Sequence, residues 1–369
     1  MKICIESDLL NHHNRSGLFT YTEGLLDGLK ENDNENEYFL AYYSMTRQSS
    51  QMPGPDQQNF KKTVLRIPDF SFTGRQWLMD KIALPLFLKA SKCRVFHRPS
   101  GYTMPSVKNI FKILTVHDLR TLTIGDKFWG QNIAHYKKTL NSLDICVVVS
   151  ENTKKDLLKH FKMEEQKIKV IYLGADKRFC QVDTHIIEPV LTKYGIKKPY
   201  LLSVGSVPRK NINGILKAFA KSKAVKDFQL VLSCRLEIDK YRQIAVELGV
   251  GDKVKILSSL SDMEIVALYN GCHAFVFPSL YEGFGLPILE AMQCGAPVIT
   301  SNMSSCPEVA GDSAILVDPN NNGQIASAID QVCSDEILRK QLIKKGFERA
   351  KLFSWDQFAQ EMKKIYAMA

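Results

Sequence analysis

The segment 275–302 constrains the fold of this chain more than any other. It begins as an apolar strand, continues through a loop that holds Glu282, and has Pro287 at a position where a helix can begin. Proline is well placed there, because the first N–H of a helix has no partner within the helix. Gly295 ends the helix, and a second apolar strand follows. The pattern predicts a βαβ unit in which backbone N–H groups can approach an anionic or hydroxyl-rich ligand.

Two glutamates of this segment, Glu282 and Glu290, raise the question of glycoside hydrolysis. If one helix ran through both residues, the carboxylates would lie about 12 Å apart along its axis. The carboxylates of glycosidases lie roughly 5–9.5 Å apart. The spacing therefore favours two carboxylates that hold two parts of one long ligand. The structural alternative is an ordinary βαβ unit with Glu290 as a solvated helix residue.

The same segment carries a specific resemblance. It reads Glu-Gly-Phe-Gly-Leu-Pro at 282–287, then Glu290, then Ala-Met-Gln-Cys-Gly-Ala-Pro-Val at 291–298. This pattern resembles the signature of retaining glycosyltransferases of family 4, which use the GT-B fold. The resemblance implies that Glu282 contacts the donor sugar and that Glu290 contacts the nucleotide ribose. It implies further donor-sugar contacts for the residues of the loop, which are Gly283, Phe284, Gly285 and Leu286.

The length and the order of the predicted elements indicate two domains. A chain of 369 residues exceeds one typical core. Apolar strands alternate with helices in both halves, as in α/β proteins with parallel sheets. We predict one domain over 1–177, a linker over 178–198 and a second domain over 199–354. The resemblance implies the GT-B arrangement of two Rossmann-like, doubly wound domains facing a central cleft, with a last helix, 355–369, that packs back on the first domain.

Two segments of the first half are less regular. Residues 45–62 are polar and contain Pro53, Gly54 and Pro55, so they predict a loop. Apolar residues at helical spacing predict a helix over 76–89, and we favour a helix packed on the sheet over a membrane anchor.

Composition limits the class of protein and its compartment. Hydrophobic residues make up 45% and charged residues 24% of the chain, and no apolar run approaches the length of a membrane span. The start of the chain predicts a strand rather than a signal peptide. The nine cysteines form no Cys-x-x-Cys pair and fit a reducing cytoplasm. We therefore predict a cytoplasmic protein, with the inner face of the cell membrane as the alternative location.

The net charge is +10, and the first half is the more basic. Residues 1–185 hold 27 Lys and Arg against 20 Asp and Glu, a balance of +7. Such a surface can attract an anionic membrane or a lipid-linked phosphate acceptor, or it can simply aid solubility. No signature of a nucleic-acid-binding fold is present, so no nucleic-acid partner is expected.

A second segment has the character of a phosphate site. Val-Gly-Ser-Val-Pro-Arg-Lys-Asn at 204–211 follows a strand and opens a helix. A diphosphate placed there would meet backbone N–H groups, the positive end of a helix and the cations of Arg209 and Lys210. The segment resembles the family's phosphate loop, in which Lys210 matches the diphosphate-binding lysine. The family often has arginine directly after the glycine, where this chain has Ser206, so Arg209 is expected to compensate.

The first domain has candidate residues of its own. His117 lies in Val-His-Asp-Leu at the end of a strand, where open α/β sheets bind ligands. It resembles the family's active-site histidine, which contacts the donor sugar near its reacting carbon. Gly17 precedes a helix and can approach the donor diphosphate, although the family usually has paired glycines there and this chain has Ser16 before Gly17.

Of the roles that the resemblance implies, recognition of the nucleobase has the least support in the sequence. Leu260 and Asp262 align with the region that contacts the nucleobase in relatives. Asp262 also suits the N-cap of the helix that follows, and the sequence does not decide between the two roles.

Together the motifs predict a retaining hexosyltransferase. The Pro-Arg-Lys-Asn and Val-His-Asp-Leu variants resemble mannosyl- and rhamnosyltransferases of bacterial surface polysaccharides. GDP-mannose is the favoured donor, with UDP-sugars as the alternative, and the acceptor is a glycan or a lipid-linked glycan. No cofactor is expected, and no metal, because the chain has no Asp-x-Asp motif. Two alternatives stay open: a nucleotide-sugar epimerase of the same fold, and a non-catalytic nucleotide-sugar-binding subunit.

Overall fold

The computed structural model describes residues 1–11, 17–44, 52–67, 72–125 and 133–369. The chain forms two compact units. Unit 1 comprises Met1–Gly174 and Ser354–Ala369, and unit 2 comprises Ala175–Phe353. Residues 178–198, predicted as a linker, fall within unit 2. Each unit is built on one parallel sheet, which confirms the predicted α/β class.

The sheet of unit 1 has seven parallel strands among the described residues, in the order β3-β2-β1-β4-β5-β6-β7. The order reverses between β1 and β4, and open α/β sheets bind ligands at the carboxyl ends of the strands beside such a point. The strands are β1 Lys2–Glu6, β2 Glu37–Tyr43, β3 Phe60–Leu65, β4 Val95–Arg98, β5 Phe111–Val116, β6 Ile145–Val148 and β7 Ile168–Val170.

Strand β3 corrects the sequence-based prediction of a loop over 45–62 at residues 60–62 only. Phe60 opposes Tyr38 in the parallel register of β2 and β3, and Leu65 opposes Tyr43. The strand lies at the edge of the sheet, and its Lys61, Lys62 and Thr63 supply the polar side chains that an edge strand tolerates. These polar residues gave the segment the composition of a loop. Residues 45–51 lie outside the described residues.

The segment 72–91 is helical, as predicted, and it packs on the sheet. Met79, Leu84 and Leu88 are buried in one cluster with Phe39 and Phe96 of the strands. A single π-helical turn, Met79–Ala83, interrupts the helix. The helices of the first 174 residues that the structure describes are α1 Gly17–Asn32, α2 Phe72–Leu78, α3 Leu84–Ser91, α4 Arg120–Thr123, α5 Ile133–Asn141 and α6 Glu151–His160.

Unit 2 is described throughout and has six parallel strands in the order β10-β9-β8-β11-β12-β13. Here the order reverses between β8 and β11. The strands are β8 Tyr200–Val204, β9 Gln229–Ser233, β10 Val254–Leu257, β11 Ala274–Phe277, β12 Val298–Ser301 and β13 Ala314–Val317. The helices are α7 Thr184–Tyr194, α8 Ile212–Lys221, α9 Ile238–Glu247, α10 Asp262–Gly271, α11 Leu286–Gln293, α12 Cys306–Ala310, α13 Asn322–Ser334 and α14 Glu336–Ala350.

The last helix, α15 (Trp355–Tyr366), packs against α1 within unit 1. Glycines make this close contact feasible. A Cβ atom at Gly24 would lie 2.2 Å from the Trp355 ring, and one at Gly28 would lie 2.5 Å from the Trp355 carbonyl oxygen. A Cβ at Gly174 would lie 2.2 Å from the Trp355 nitrogen. A larger residue at any of these three positions would push α15 away from the unit.

Candidate functional site

Two loops of unit 2 lie side by side at the point where the strand order reverses. One follows β8 and holds Arg209 and Lys210, and the other follows β11 and holds Glu282. Hydrogen bonds join the loops directly. The carbonyl oxygen of Arg209 accepts from the Leu280 N–H at 2.8 Å and from the Ser279 hydroxyl at 2.9 Å. The two predicted motifs, some seventy residues apart in the chain, therefore form one site.

The centre of this site is a carboxylate held by two cations. Lys210 Nζ donates to Glu282 Oε1 at 2.6 Å, and Arg209 Nη1 donates to Glu282 Oε2 at 2.7 Å. The Ser279 hydroxyl lies 2.6 Å from Oε1, and it shares its single proton between this oxygen and the Arg209 carbonyl oxygen. Only 5% of Glu282 is exposed. Burial by itself would raise the pKa of Glu282, but Lys210 and Arg209 outweigh it and lower that pKa. The cluster of two cations and one carboxylate therefore keeps a net positive charge.

The backbone at Gly205 gives Lys210 its place. Gly205 has a φ of +132°, and a Cβ atom there would lie 2.6 Å from Lys210 Cγ. Glycine is therefore needed both for the conformation and for the space that the lysine stem occupies. Lys210 Nζ also lies 4.5 Å from the centroid of the Phe277 ring, a cation–π contact. Burial lowers the pKa of Lys210, while Glu282 opposes that shift.

Two serines that sequence reasoning missed fix the loop around Glu282. The Glu282 N–H donates to Ser304 Oγ at 2.9 Å. Ser305 Oγ lies 3.0 Å from the Glu282 carbonyl oxygen and 2.7 Å from that of Phe284, and shares its hydroxyl between them. Both serines follow β12, the neighbour of β11 in the sheet. The rule that parallel strands place their carboxyl ends at one edge would have drawn attention to them.

The predicted sugar-binding loop leads into α11. Gly285 caps this helix with a φ of +114°, and Leu286 is its first residue. The ring of Phe284 is buried and lies 5.7 Å from the ring of Phe353. Gly283 and Leu286 are partly exposed. The loop therefore leaves Gly283 and Leu286 partly accessible, while the phenyl ring of Phe284 packs against Phe353 within unit 2.

Glu290 lies within α11 and accepts a hydrogen bond from the Tyr269 hydroxyl at 3.2 Å. Burial raises its pKa to about 7, and repulsion from Asp176 and Asp262 adds to the shift. Because the helix begins only at Leu286, Glu282 and Glu290 do not lie on one helix. Lys210 opposes the shift caused by burial and lowers the pKa of Glu290.

The two predicted base-binding residues, Leu260 and Asp262, lie before and at the start of α10. The carboxylate of Asp262 accepts a hydrogen bond from Arg178 Nη1 at 2.8 Å, and Leu260 lies in the loop before α10. Ser261 is the N-cap of α10, and it forms a capping box with Glu264. The sequence-based option of Asp262 as the N-cap is therefore wrong, because Asp262 is the first helical residue.

In unit 1, His117 follows β5 and is held on two sides. Its Nε2 lies 2.8 Å from the Pro99 carbonyl oxygen, and the Tyr21 ring meets it edge-on at 4.6 Å between ring centroids. A carbonyl oxygen can only accept, so Nε2 carries the proton and Nδ1 is left as an acceptor in the neutral ring. Burial lowers the pKa of His117, which favours that neutral form.

A buried polar chain runs from Tyr21 to α15. The Tyr21 and Thr115 hydroxyls are 2.7 Å apart, and His97 Nε2 lies 2.9 Å from Thr115 Oγ1. His97 Nδ1 lies 2.8 Å from the Tyr366 hydroxyl. Burial lowers the pKa of His97 to about 3, so this histidine stays neutral. The chain connects α1, β5, β4 and α15, and it was not foreseen from the sequence.

Gly17 is the first residue of α1, which follows β1 at the reversal point of this sheet. It is exposed, and a Cβ atom built on it would meet no atom within 4 Å. The rest of the predicted loop, residues 14–16, lies outside the described residues. Within the described ranges, no helix combines the length and the apolar character needed to cross a bilayer. Among those same residues, no three His, Cys, Asp or Glu side chains are grouped so that they could hold a metal ion.

Comparison with known proteins identifies the family. Residues 15–179 match the family model described as Glycosyltransferase Family 4, and residues 190–349 match Glycosyl transferases group 1. O-antigen chain mannosyltransferase B of Escherichia coli is 32% identical over 280 residues, which cover 73% of each chain. This chain belongs to glycosyltransferase family 4. It is therefore a glycosyltransferase, as the Glu282 segment predicts.

One further relative and one solved structure are also similar to this chain. O-antigen chain mannosyltransferase RfbU of Salmonella typhimurium is 30% identical over 282 residues, covering 74% of this chain and 73% of that one. The crystal structure of Anabaena HepE in complex with UDP and glucose superimposes with a TM-score of 0.78, at 15% identity and with full coverage of both chains. At that identity the likeness concerns the fold, and it confirms that this family member has the GT-B fold.

Proposed function

We propose that this family 4 enzyme is a retaining mannosyltransferase that moves mannose from GDP-mannose to a glycan or lipid-linked glycan. The observation that carries the proposal is the buried carboxylate of Glu282, held by Arg209 and Lys210 beside the point where the strand order reverses. The choice of mannose is supported by the relatives, because two that are 30–32% identical are named O-antigen chain mannosyltransferases. Rhamnose as the sugar and a UDP-sugar as the donor are the alternatives.

The charges of the site suit the departure of a diphosphate. Breaking the bond between sugar and diphosphate builds negative charge on the leaving oxygen and oxocarbenium character on the sugar. Arg209 and Lys210 carry two positive charges, and Glu282 offsets one of them. The remaining charge and the backbone N–H groups would attract the diphosphate, so we assign its neutralisation to these side chains rather than to a metal ion.

The roles of the other residues follow from their settings. Glu282 would accept hydrogen bonds from sugar hydroxyls with its carboxylate fixed in advance by three donors, so little reorganisation is needed during the reaction. Glu290 would accept from the ribose hydroxyls. His117 would offer Nδ1 to a hydroxyl of the donor sugar, because Nε2 is already occupied by Pro99. We place the attack of the acceptor on the face of the leaving group, with the leaving phosphate taking the acceptor proton, which retains the anomeric configuration.

We also propose the cytoplasm as the compartment, with action at the inner face of the cell membrane where lipid-linked glycans are presented. The basic first half of the chain supports this, as does the occurrence of O-antigen chain enzymes among the relatives. No nucleic-acid partner and no cofactor form part of the proposal.

A thermal-shift comparison of GDP-mannose, UDP-glucose, UDP-GlcNAc and ADP-glucose tests the donor. A ligand stabilises a protein in proportion to the logarithm of its concentration over its Kd, so the preferred base gives the largest rise in Tm. We expect GDP-mannose to do so, in buffer that contains EDTA as well as in buffer with magnesium. Stabilisation by UDP-sugars alone would overturn the choice of donor.

The anomeric configuration of the product tests the mechanism. Transfer to a soluble saccharide acceptor should give an α-mannoside from the α-linked donor. The one-bond coupling constant between C1 and H1 of the mannose distinguishes the two anomers by NMR. A β-mannoside would exclude retention, and a sugar released without any glycosidic bond would exclude transfer to that acceptor.

A further inference from the structure

The helical segment 72–91 has a second apolar face, outside the core of unit 1. Trp77 is 59% exposed, Ile82 is 43% exposed and Leu86 is 65% exposed. The opposite face, with Leu84 and Leu88, is fully buried on the sheet. A helix at the surface of a globular protein normally turns polar residues outward. Three large apolar side chains on the outer face therefore need a separate explanation.

The π-helical turn brings these side chains into one row. The N–H of Leu84 donates to the carbonyl oxygen of Met79, five residues earlier, instead of four. The turn thus contains one extra residue. Trp77 and Ile82 are five residues apart across this turn, so they take up the relation that residues four apart have in an α-helix. Leu86 then follows Ile82 at the ordinary spacing of four, on the same face.

The exposed charges of this segment have a single sign. Lys81 and Lys89 are exposed, and so is Lys92 directly after the helix. Asp80 is the one carboxylate that the sequence places in 72–92, and it is 4% exposed. Its carboxylate is engaged by the buried guanidinium of Arg98, with Nη2 at 2.8 Å from Oδ1. The outer surface of the segment therefore combines exposed apolar groups with lysines and presents no carboxylate of its own.

We propose that the Trp77 face, which consists of Trp77, Ile82, Leu86, Lys81 and Lys89, docks on an anionic lipid bilayer. Amphipathic helices that lie in a membrane interface have large apolar side chains on one side, tryptophan among them, and lysines that reach the headgroups. Lysines near the surface add attraction to anionic lipids. The inference rests on the proposed function, because a lipid-linked acceptor is presented at such a surface. It names the residues that bring the enzyme to the lipid.

Sedimentation with lipid vesicles tests the face without donor or acceptor. We expect the wild-type protein to bind vesicles of phosphatidylglycerol and phosphatidylcholine more tightly than vesicles of phosphatidylcholine alone, and to be released by high salt. The double variant Trp77→Ser/Leu86→Ser should bind the anionic vesicles at least tenfold more weakly. Ile337→Ser is the matched control, because Ile337 is an apolar residue on α14 of unit 2 that is 72% exposed.

A charge variant separates the two parts of the interaction. Lys81→Gln/Lys89→Gln should remove most of the preference for anionic vesicles and most of the salt dependence, while the apolar contribution remains. Because all four side chains are exposed, the Tm of each variant should equal that of the wild type. Transfer to a soluble saccharide acceptor should also be unchanged in each variant.

Three results would overturn the proposal. These are a wild-type protein that ignores anionic vesicles, variants that bind vesicles as the wild type does, and a wild-type dimer that the Trp77→Ser/Leu86→Ser variant converts to a monomer. The last result would assign the face to a second copy of the chain. A protein that transfers mannose to a soluble acceptor but ignores vesicles disproves only the docking face. A protein that binds vesicles through this face but transfers no sugar disproves only the proposed function.

Discussion

The environments of His117 and Glu282 differ in one physical respect, which is charge. Around His117 the described partners are the Tyr21 ring and the Pro99 carbonyl oxygen, and burial lowers the pKa of the imidazole although the neighbouring Asp118 carboxylate opposes that shift. Around Glu282 two cations lie within 2.7 Å of the carboxylate oxygens. Both residues follow strands near the reversal point of their own sheet. Glu282 follows the strand that borders the reversal point of its sheet, whereas His117 follows the next strand out, so similar positions in two sheets have surroundings of different charge.

This difference in charge fits different roles for the two residues in the proposed reaction. A neutral imidazole with one free acceptor suits a sugar hydroxyl, which carries no charge. Paired cations suit a diphosphate, whose negative charge grows as the bond to the sugar breaks. Four substitutions test these two roles, and they follow in order of expected effect.

The largest effect is expected from Glu282→Gln. Loss of a preorganised charged group at the reacting sugar should lower kcat by about 100–1000-fold. The affinity for the free nucleoside diphosphate should stay equal or increase, because the variant removes the negative charge beside Arg209 and Lys210. Kinetics and titration calorimetry measure the two quantities. Glu348→Gln, at an exposed glutamate of the same unit, is the control, and a Kd for nucleotide that weakens as much as kcat would contradict the assignment of Glu282 to the sugar.

The next largest effect is expected from Lys210, one of the two cations beside Glu282, and it concerns nucleotide affinity. Lys210→Met keeps an apolar stem against Phe277 and removes the cation. Hydrogen bonds to charged groups contribute about 1.5–3 kcal/mol, so the Kd for GDP should rise by about 10–100-fold. The Kd for GMP should rise much less, because GMP lacks the second phosphate. Equal losses for GDP and GMP in calorimetry would place the diphosphate elsewhere.

A smaller effect is expected from pH acting on Glu290, whose pKa is raised to about 7. The carboxylate accepts from ribose hydroxyls only when ionised, so nucleotide affinity should increase by up to about tenfold between pH 6 and pH 8. The effect on stability has the opposite sign. An unfolded glutamate has a pKa of about 4.3, so the folded state binds more protons between about pH 4 and pH 7 and loses stability as pH rises through that window.

Glu290→Gln is the test of both pH effects. The variant should remove the increase in nucleotide affinity and flatten the fall in stability over the same window. Calorimetry and urea titrations at three pH values measure them. An unchanged pH dependence in the variant would assign it to another group.

The smallest effect on kcat is expected from a substitution beside His117. Tyr21→Leu removes the ring that packs against His117, and aromatic pairs contribute about 0.5–1.5 kcal/mol beyond burial, so kcat should fall by a few-fold. The pKa of His117 should rise towards its ordinary value as water reaches the ring, which an NMR titration follows. Tyr21→Phe keeps the ring and should leave both nearly unchanged. If Tyr21→Phe lowered kcat and raised the pKa of His117 as much as Tyr21→Leu does, the hydroxyl chain rather than the ring would hold His117.

Local patterns predicted much of the fold. The near-continuous apolar runs of β8 and β11, the proline at the start of α11 and Gly295 after its end are signals that depend only on neighbouring residues, and the structure agrees with them. The edge strand β3 was missed because three of its six residues, Lys61, Lys62 and Thr63, are polar and continue the polar composition of the preceding loop. A helix was predicted over 76–89 and the helical segment spans 72–91, but its π turn was not predicted, since an extra residue in one turn changes the hydrogen bonding without changing the apolar pattern.

In the candidate site, too, the sequence revealed the motifs but not the contacts between them. The Glu282 segment and the Arg209-Lys210 pair were found as separate motifs, each recognisable from its residue types. The structure places one in contact with the other, and it adds Ser304 and Ser305 from a third segment. Sequence could not supply these contacts because they depend on the order of strands in the sheet, which is a property of the folded unit.

The two series of strands and helices, the glycines that permit tight turns and the family of the enzyme could all be read from the amino-acid sequence. These depend on local sterics, on hydrophobic periodicity and on motifs that are continuous in the chain. Tertiary structure alone decided the ionisation of Glu282, Glu290 and His117, the close packing of α15 on α1 and the exposure of Trp77. Each of these depends on which distant groups exclude water or bring a charge near, and such neighbours exist only after the chain has folded.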